Sequence, residues 1–160
     1  MKIICKRVSL IIAMTALVPA FAAMPEPQSK QAKEVRALVD KGAALVESKG
    51  KDAFGEFRKK GSVWFKGDSY IFIDDFNGKV IVYPPDSKLE GQNLINMKDP
   101  NGTPVVGQFI EVLKTQNSAW VEYLWPKPGS DKPVKKFTYV RKAKVPKGET
   151  LIVGSGYYAE

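Results

Sequence analysis

Between Lys30 and Lys49 the apolar residues Val35, Leu38, Val39, Leu45 and Val46 recur at steps of three and four, the spacing that lines up one side of an α-helix. Gly50 stands where a helix stops in a left-handed residue, so a long amphipathic helix over Lys30–Lys49 is predicted. Asp52 is placed to cap a short second helix that carries Phe54 and Phe57 and closes on Arg58-Lys59-Lys60-Gly61. The period then drops to two. Residues 70–74 and 79–83 are rich in aromatic and β-branched side chains, and Asn77-Gly78 between them signals a tight hairpin. Pro84-Pro85 ends the second run. The stretch DSKLEGQNLINMKDPNG, residues 86–102, has no period, and ordered connections of that length tend to be functional. Thr103-Pro104 reads as the N-cap and first residue of a helix with Val106, Phe109, Ile110 and Leu113 on one side. Three more strands are predicted, 119–125, 134–144 and 150–158, with turns at 127–133 and 146–149. Hairpin-linked strands interrupted by helices predict an α+β domain around a five-stranded antiparallel sheet, with one helix ahead of it and another between its second and third strands.

The first 22 residues stand apart from this pattern. Lys2, Lys6 and Arg7 precede an apolar run from Val8 to Phe21 that closes in Ala20-Phe21-Ala22, the form of a secretory signal peptide. The run is shorter than the roughly 20 residues a membrane-spanning helix needs. Cleavage after Ala22 is expected, giving a signal peptide 1–22, a polar lead-in 23–29 and a single domain 30–160, placed in the periplasm or secreted. Cys5 leaves with the leader and the chain has no histidine, which removes thiol and imidazole catalysis and nearly every transition-metal site. No paired-acid motif, phosphate loop or serine elbow is present, so the reading is a non-enzyme without cofactor or metal. Of the net charge of +8, the leader holds three cations. Between Lys127 and Lys147 eight cations face a single acid, Asp131, so that segment alone carries the positive excess and the rest of the chain after the leader is near neutral.

The segments YIFIDDFNGKVIVYPPDSKLEGQNLINMKDPNGTP, WVEYLWPKPGSDKPVKKFTYV and LIVGSGYY, in that order, resemble the extracytoplasmic single Cache domain of bacterial chemoreceptors and sensor kinases, from about Ala32 to Tyr158. The resemblance implies a PAS-like sensor domain whose pocket lies on one face of the sheet under the long loop and the helix after it. It also implies a small organic acid as ligand, of the acetate, propionate, pyruvate or lactate class. Two positions depart from the family: Tyr83 stands where a histidine is usual, and Pro146-Lys147-Gly148-Glu149 where tryptophans are frequent. Because nothing follows Glu160, a stand-alone exported protein is expected, passing its signal to a separate membrane receptor or sensor kinase.

Strand alternation puts Tyr123 and Trp125 on one face with Val121, and Trp120, Glu122 and Leu124 on the other. Tyr70, Phe72 and Asp74 likewise share a face, with support of the Asn77-Gly78 turn as the alternative role of Asp74 or Asp75. The ligand-binding set expected with the help of the resemblance is Tyr70, Phe72, Tyr83, Tyr123, Trp125, Lys136 and Tyr139. Lys136 matches the lysine before the family's hydroxyl–tyrosine pair, here Thr138-Tyr139, and a bound carboxylate would supply the counter-charge that a partly buried ammonium needs. Lys136 and Tyr139 fall on opposite faces of a regular strand, so both reach one ligand only across a bulge or twist. The alternative reading is a ligand-free envelope interaction protein that docks through the basic hairpin 127–147. No nucleic-acid partner is expected.

Overall fold

The computed structural model describes residues 23–146 and 148–159; the leader 1–22 lies outside the described residues. The first helix, α1 (Lys30–Lys49), has its predicted limits. Ser29 caps it by accepting a hydrogen bond from the Ala32 amide at 3.0 Å, and Gly50 ends it at φ 59° while its own amide donates to the Val46 carbonyl. Asp52 does not cap the next helix as expected: it lies inside a single 3₁₀ turn, Gly50–Ala53, and α2 (Phe54–Phe57) continues directly from it. The buried rings of Phe54 and Phe57 dock this corner under the sheet, with Trp64 edge-on to Phe57 at 5.2 Å.

The strand predicted at 70–74 divides in two. Tyr70 pairs with Phe65 in a small hairpin of β1 (Phe65–Lys66) and β2 (Ser69–Tyr70), and Ile71 donates to the Trp64 carbonyl. The chain changes partner there, and β3 (Phe72–Asp75) joins the main sheet. The turn into β4 (Val80–Val82) is one residue longer than the Asn77-Gly78 signal predicts: Asp75 pairs with Lys79, and Gly78, at φ 87°, donates back to the Asp75 carbonyl. A bulge follows. Ile73 faces Val82 but Asp74 faces Val80, which leaves Ile81 as the extra residue.

The long connection 83–104 carries one 3₁₀ turn, Ser87–Leu89. The following helix, α3 (Val105–Thr115), starts one residue later than expected, because Thr103 gives its amide to Asp99 Oδ1 and Pro104 takes the cap position. Then come β5 (Ser118–Pro126), β6 (Pro133–Lys144) and β7 (Thr150–Tyr158). The five long strands form one antiparallel sheet in the order β4-β3-β7-β6-β5, with the last strand of the chain at its centre. β6 keeps an unbroken register against both neighbours.

Two apolar layers result, one on each face. Val35, Val39, Ala43 and Val46 of α1 pack with Ile73, Trp120, Tyr139, Ala143, Leu151 and Val153. On the other face Val106, Phe109, Ile110 and Leu113 of α3 pack with Phe72, Val121, Tyr123, Val140 and Ile152. The exposed edge of β5 is partly occupied: the Met24 amide donates to the Trp120 carbonyl at 2.9 Å, and Asp99 Oδ2 accepts the Leu124 amide at 2.9 Å. Among the described residues no helix is long and apolar enough to cross a membrane.

Candidate functional site

Under α3 and the long connection lies a narrow cavity of about 30 Å³. Each strand contributes by parity. Tyr123 and Trp125 project into it from β5, as alternation predicts, and Lys136 from β6. Tyr70, Phe72 and Asp74 enter from β2 and β3. Val80 and Tyr83 are three positions apart yet both reach the cavity, because the bulge at Ile81 reverses the alternation between them. Leu89, Leu94, Val105, Val106 and Phe109 close the roof.

Two glycines of β7 make the floor low enough. A Cβ on Gly154 would stand 2.3 Å from Cζ of Phe72, whose ring lies across that strand. One on Gly156 would stand 2.9 Å from Cε of Lys136 and 2.5 Å from the Phe137 carbonyl oxygen. The Gly154-Ser155-Gly156 stretch is thus what admits the aromatic ring and the lysine stem.

Lys136 is 1% exposed. Its ammonium donates to the Tyr70 hydroxyl at 2.8 Å and lies over the rings of Tyr70 at 4.2 Å and Tyr158 at 5.0 Å. It makes no ion pair and no second hydrogen bond among the described residues, so two of its three N–H groups have no protein acceptor there. Burial pulls its pKa down from 10.5 to about 7, with Asp68 opposing the shift from a distance.

From Tyr70 a chain of polar contacts runs to the mouth. The hydroxyls of Tyr70 and Tyr83 are 3.1 Å apart, and Trp125 Nε1 donates to the Tyr83 oxygen at 2.7 Å. The ammonium form of Lys136 and the Trp125 indole can only donate, so whichever tyrosine donates to the other, one phenolic proton is not used within the Tyr70–Tyr83 pair. Burial raises the pKa of both phenols, which keeps those protons in place. Tyr123 is bonded to Thr138 at 3.0 Å and shapes the wall.

Asp74, 3% exposed, faces the same cavity without a hydrogen bond among the described residues. Burial, reinforced by Asp75, lifts its pKa from 3.8 to about 8. The turn is served by Asp75 alone, whose Oδ1 accepts the amides of Asn77 and Lys79.

The roof is pinned by two acids. Asp99 holds the amides of Asn101, Thr103 and Leu124. Glu90 accepts the Tyr83 amide at 2.9 Å and a guanidinium N–H of Arg58 at 2.8 Å; partial burial opposes its ionisation, but these donors hold its pKa below the ordinary value. Tyr83, Leu89 and Trp125 also line an outer groove of about 510 Å³ between the long connection and the β5–β6 hairpin. Those three side chains are the partition between solvent and cavity.

Six of the seven residues expected at the site are therefore together: Tyr70, Phe72, Tyr83, Tyr123, Trp125 and Lys136. Tyr139 is elsewhere. With no bulge in β6 it stays on the opposite face, against Trp120 at 5.3 Å and beneath Arg36 at 5.7 Å. Tyr158, over which the Lys136 ammonium lies, was not foreseen; its signal is the parity it shares with Gly154 and Gly156. The basic run is not one patch. Lys136 is buried, Lys127 pairs with Asp68, Lys135 with Glu122, and Arg141 with Asp40 and Glu47 on the α1 side. Among the described residues no cluster of acids could hold a metal ion.

Residues 47–160 match the family model described as Cache domain. A methyl-accepting chemotaxis protein, McpP of Pseudomonas putida KT2440, is 38% identical over 93 residues, which are 58% of this chain and 16% of that much longer protein. Among solved structures, a periplasmic sensor domain of a chemotaxis protein is 32% identical with a TM-score of 0.69, over 81% of this chain and 95% of that one. A Cache chemosensory domain whose structure concerns carboxylic acid recognition is 29% identical with a TM-score of 0.68, over 80% and 92%. Sheet order, flanking helix and family match agree, and the chain belongs to the Cache family of ligand-binding sensor domains found in chemoreceptors.

Proposed function

We propose that this Cache domain reversibly binds a small organic acid of the acetate, propionate, pyruvate or lactate class outside the cytoplasm and passes the signal to a membrane receptor or sensor kinase, without catalysing a reaction. The observation that carries the reading is Lys136: a buried ammonium with unused N–H groups and no counter-ion among the described residues. Leaving a charge unpaired in such a place is expensive, and a carboxylate removes the cost by accepting charge-assisted hydrogen bonds. Lys136 and the spare phenolic proton of the Tyr70–Tyr83 pair would meet the two oxygens, and Phe72 and Trp125 would cover the short apolar tail. A space of about 30 Å³ is small for even a four-atom acid, so binding needs the partition of Tyr83, Leu89 and Trp125 to give way.

At the best ligand efficiency a four-atom acid reaches about −6 kcal/mol, on the order of tens of micromolar. Near 100 times that concentration the native state gains about 2.7 kcal/mol, a melting shift of several degrees. Thermal-shift and calorimetric titration of the chain from Ala23 with these acids is the test. Lys136→Met, which keeps the stem and loses the charge, should abolish the response while the protein stays folded. An undiminished shift in Lys136→Met would move the site elsewhere. No shift with any acid in the wild type would favour an interaction protein acting through the hairpin 127–147.

A further inference from the structure

The carboxylate reading leaves one buried ionisable group of the cavity without a task. Asp74 lies on the cavity wall, almost wholly buried, and no backbone amide, side-chain donor or cation among the described residues meets its carboxyl. Turn formation does not account for it, since Asp75 does that work. Neither does folding: a carboxyl 3% exposed, opposite Val80 and without a hydrogen-bond partner among the described residues, is a cost that an aliphatic residue would avoid.

The register sets Asp74 apart from Lys136. Asp74 faces Ile152 and Lys136 faces Tyr158, so their backbones are offset by six positions along β7, roughly 20 Å at about 3.3 Å per residue, and the lysine side chain closes part of that offset by leaning over Gly156. Phe72, lying over Gly154 and stacked on Phe109 at 5.5 Å, occupies the interval. The cavity therefore has two polar ends and an aromatic waist.

We propose that Asp74 is a second recognition group of this cavity, accepting a hydrogen bond from a hydroxyl or ammonium at the far end of a ligand whose carboxylate is held by Lys136. The inference rests on the carboxylate reading and moves its ligand from the two- and three-carbon acids to a longer, terminally substituted one. A plain alkanoate presents a methyl group to Asp74 and leaves the acid unpartnered, whereas a terminally substituted acid satisfies both ends. Selection between the two then depends on a residue remote from the carboxylate.

Butyrate, 4-hydroxybutyrate and 4-aminobutyrate, three acids with one carbon skeleton, are titrated calorimetrically into wild type, Asp74→Asn and Asp74→Val. A substituted acid should bind wild type about five- to tenfold tighter than butyrate, the effect of one net hydrogen bond to a buried acceptor. Asp74→Val should abolish or reverse that preference and, being β-branched and apolar in a strand, should fold at least as well. Asp74→Asn keeps a carbonyl acceptor but cannot ionise in answer to an ammonium: preference for 4-hydroxybutyrate retained there identifies the hydroxyl, and preference for 4-aminobutyrate lost there identifies the ammonium. The proposal is overturned if butyrate binds wild type as tightly as both substituted acids, or if Asp74→Val leaves the ratio unchanged. Lys136→Met separates the two layers. Loss of all binding in Lys136→Met with no effect of Asp74→Val sinks this inference alone, as does a wild type that binds acetate or propionate but none of the three acids; retention of binding in Lys136→Met, or a wild type that binds neither these three acids nor acetate and propionate, sinks the carboxylate reading with it.

Discussion

Tyr139 and Lys136 are three residues apart on one strand and live in different surroundings. Tyr139 joins an α1-covered face with Trp120, Leu151 and Val153, which is almost wholly apolar or aromatic and whose buried polar atoms are neutral: the Trp120 indole N–H and the Ser155 hydroxyl, neither with a hydrogen-bond partner among the described residues. Lys136 joins a face that buries an ammonium, a carboxyl and several phenols around a small space. The first face buries no charged side chain. The second departs from that arrangement at several points, and a sheet can tolerate such departures on one side because the other side holds it together. Stability and recognition are thus divided between the two surfaces of β6 and β7.

The comparison breaks first at Leu151, which is fully buried on the α1 side. Leu151→Ala should cost about 2–5 kcal/mol by the loss of packing, measured by denaturant unfolding, and leave acid binding unchanged under conditions where the protein is folded. A cost below about 1 kcal/mol would show that α1 is not the frame of the fold.

An intermediate effect concerns pH and the cavity side alone. Lys136 has a folded value of about 7 against 10.5 when unfolded, so across that window the unfolded chain binds more protons and stability rises with pH. Asp74 has a folded value of about 8 against 3.8, so the folded chain binds more protons and stability falls across that window. Ligand-free melting measured from pH 4 to 10 should pass through a minimum near pH 7–8. Lys136→Met should lose the alkaline rise and keep the acid-side fall. Leu151→Ala should lower the whole curve without changing its shape. A flat wild-type profile would mean that neither group is desolvated, and the contrast between the faces would shrink to shape.

The smallest effect belongs to the rim. Lys135 and Glu122 are 3.6 Å apart with about half of each side chain exposed. Lys135→Gln should change stability by no more than about 0.5 kcal/mol, with the difference erased by added salt. A change comparable to that of Lys136→Met would place Lys135 in the site.

The elements of this architecture could be read from the sequence, α1 from one buried row at steps of three and four, β6 and β7 from β-branched and aromatic residues that they bury on both faces. Parity on β5 was equally plain and correctly separated Tyr123 and Trp125 from Trp120. The same rule put Tyr139 opposite Lys136, and parity prevailed over the family pattern that had drawn Tyr139 into the site. What periodicity cannot show is a change of partner within a run. Residues 70–74 look continuous, yet Tyr70 and Phe72 belong to different ladders. The bulge at Ile81 is equally silent, although it alone turns Val80 and Tyr83 toward one space. Asp99 and Glu90 look like loop acids, and only the folded chain reveals which amides they hold. Asp74 shares a face with Tyr70 in sequence, but its want of a partner is a property of three dimensions.

The contacts along β5 bear on how this protein behaves beside other copies of itself. An outer strand presents unpaired amides and carbonyls to which a second chain can add a strand, the first step toward sheet-to-sheet aggregation. Here Met24 occupies the Trp120 end of that rim and the Asp99 carboxylate occupies the Leu124 amide, with only Glu122, a charged residue, between them. Asp99 thereby does two things at once. Its carboxylate shapes the roof of the cavity and also blocks templated growth, so a change made there to open the site would expose an adhesive edge as well.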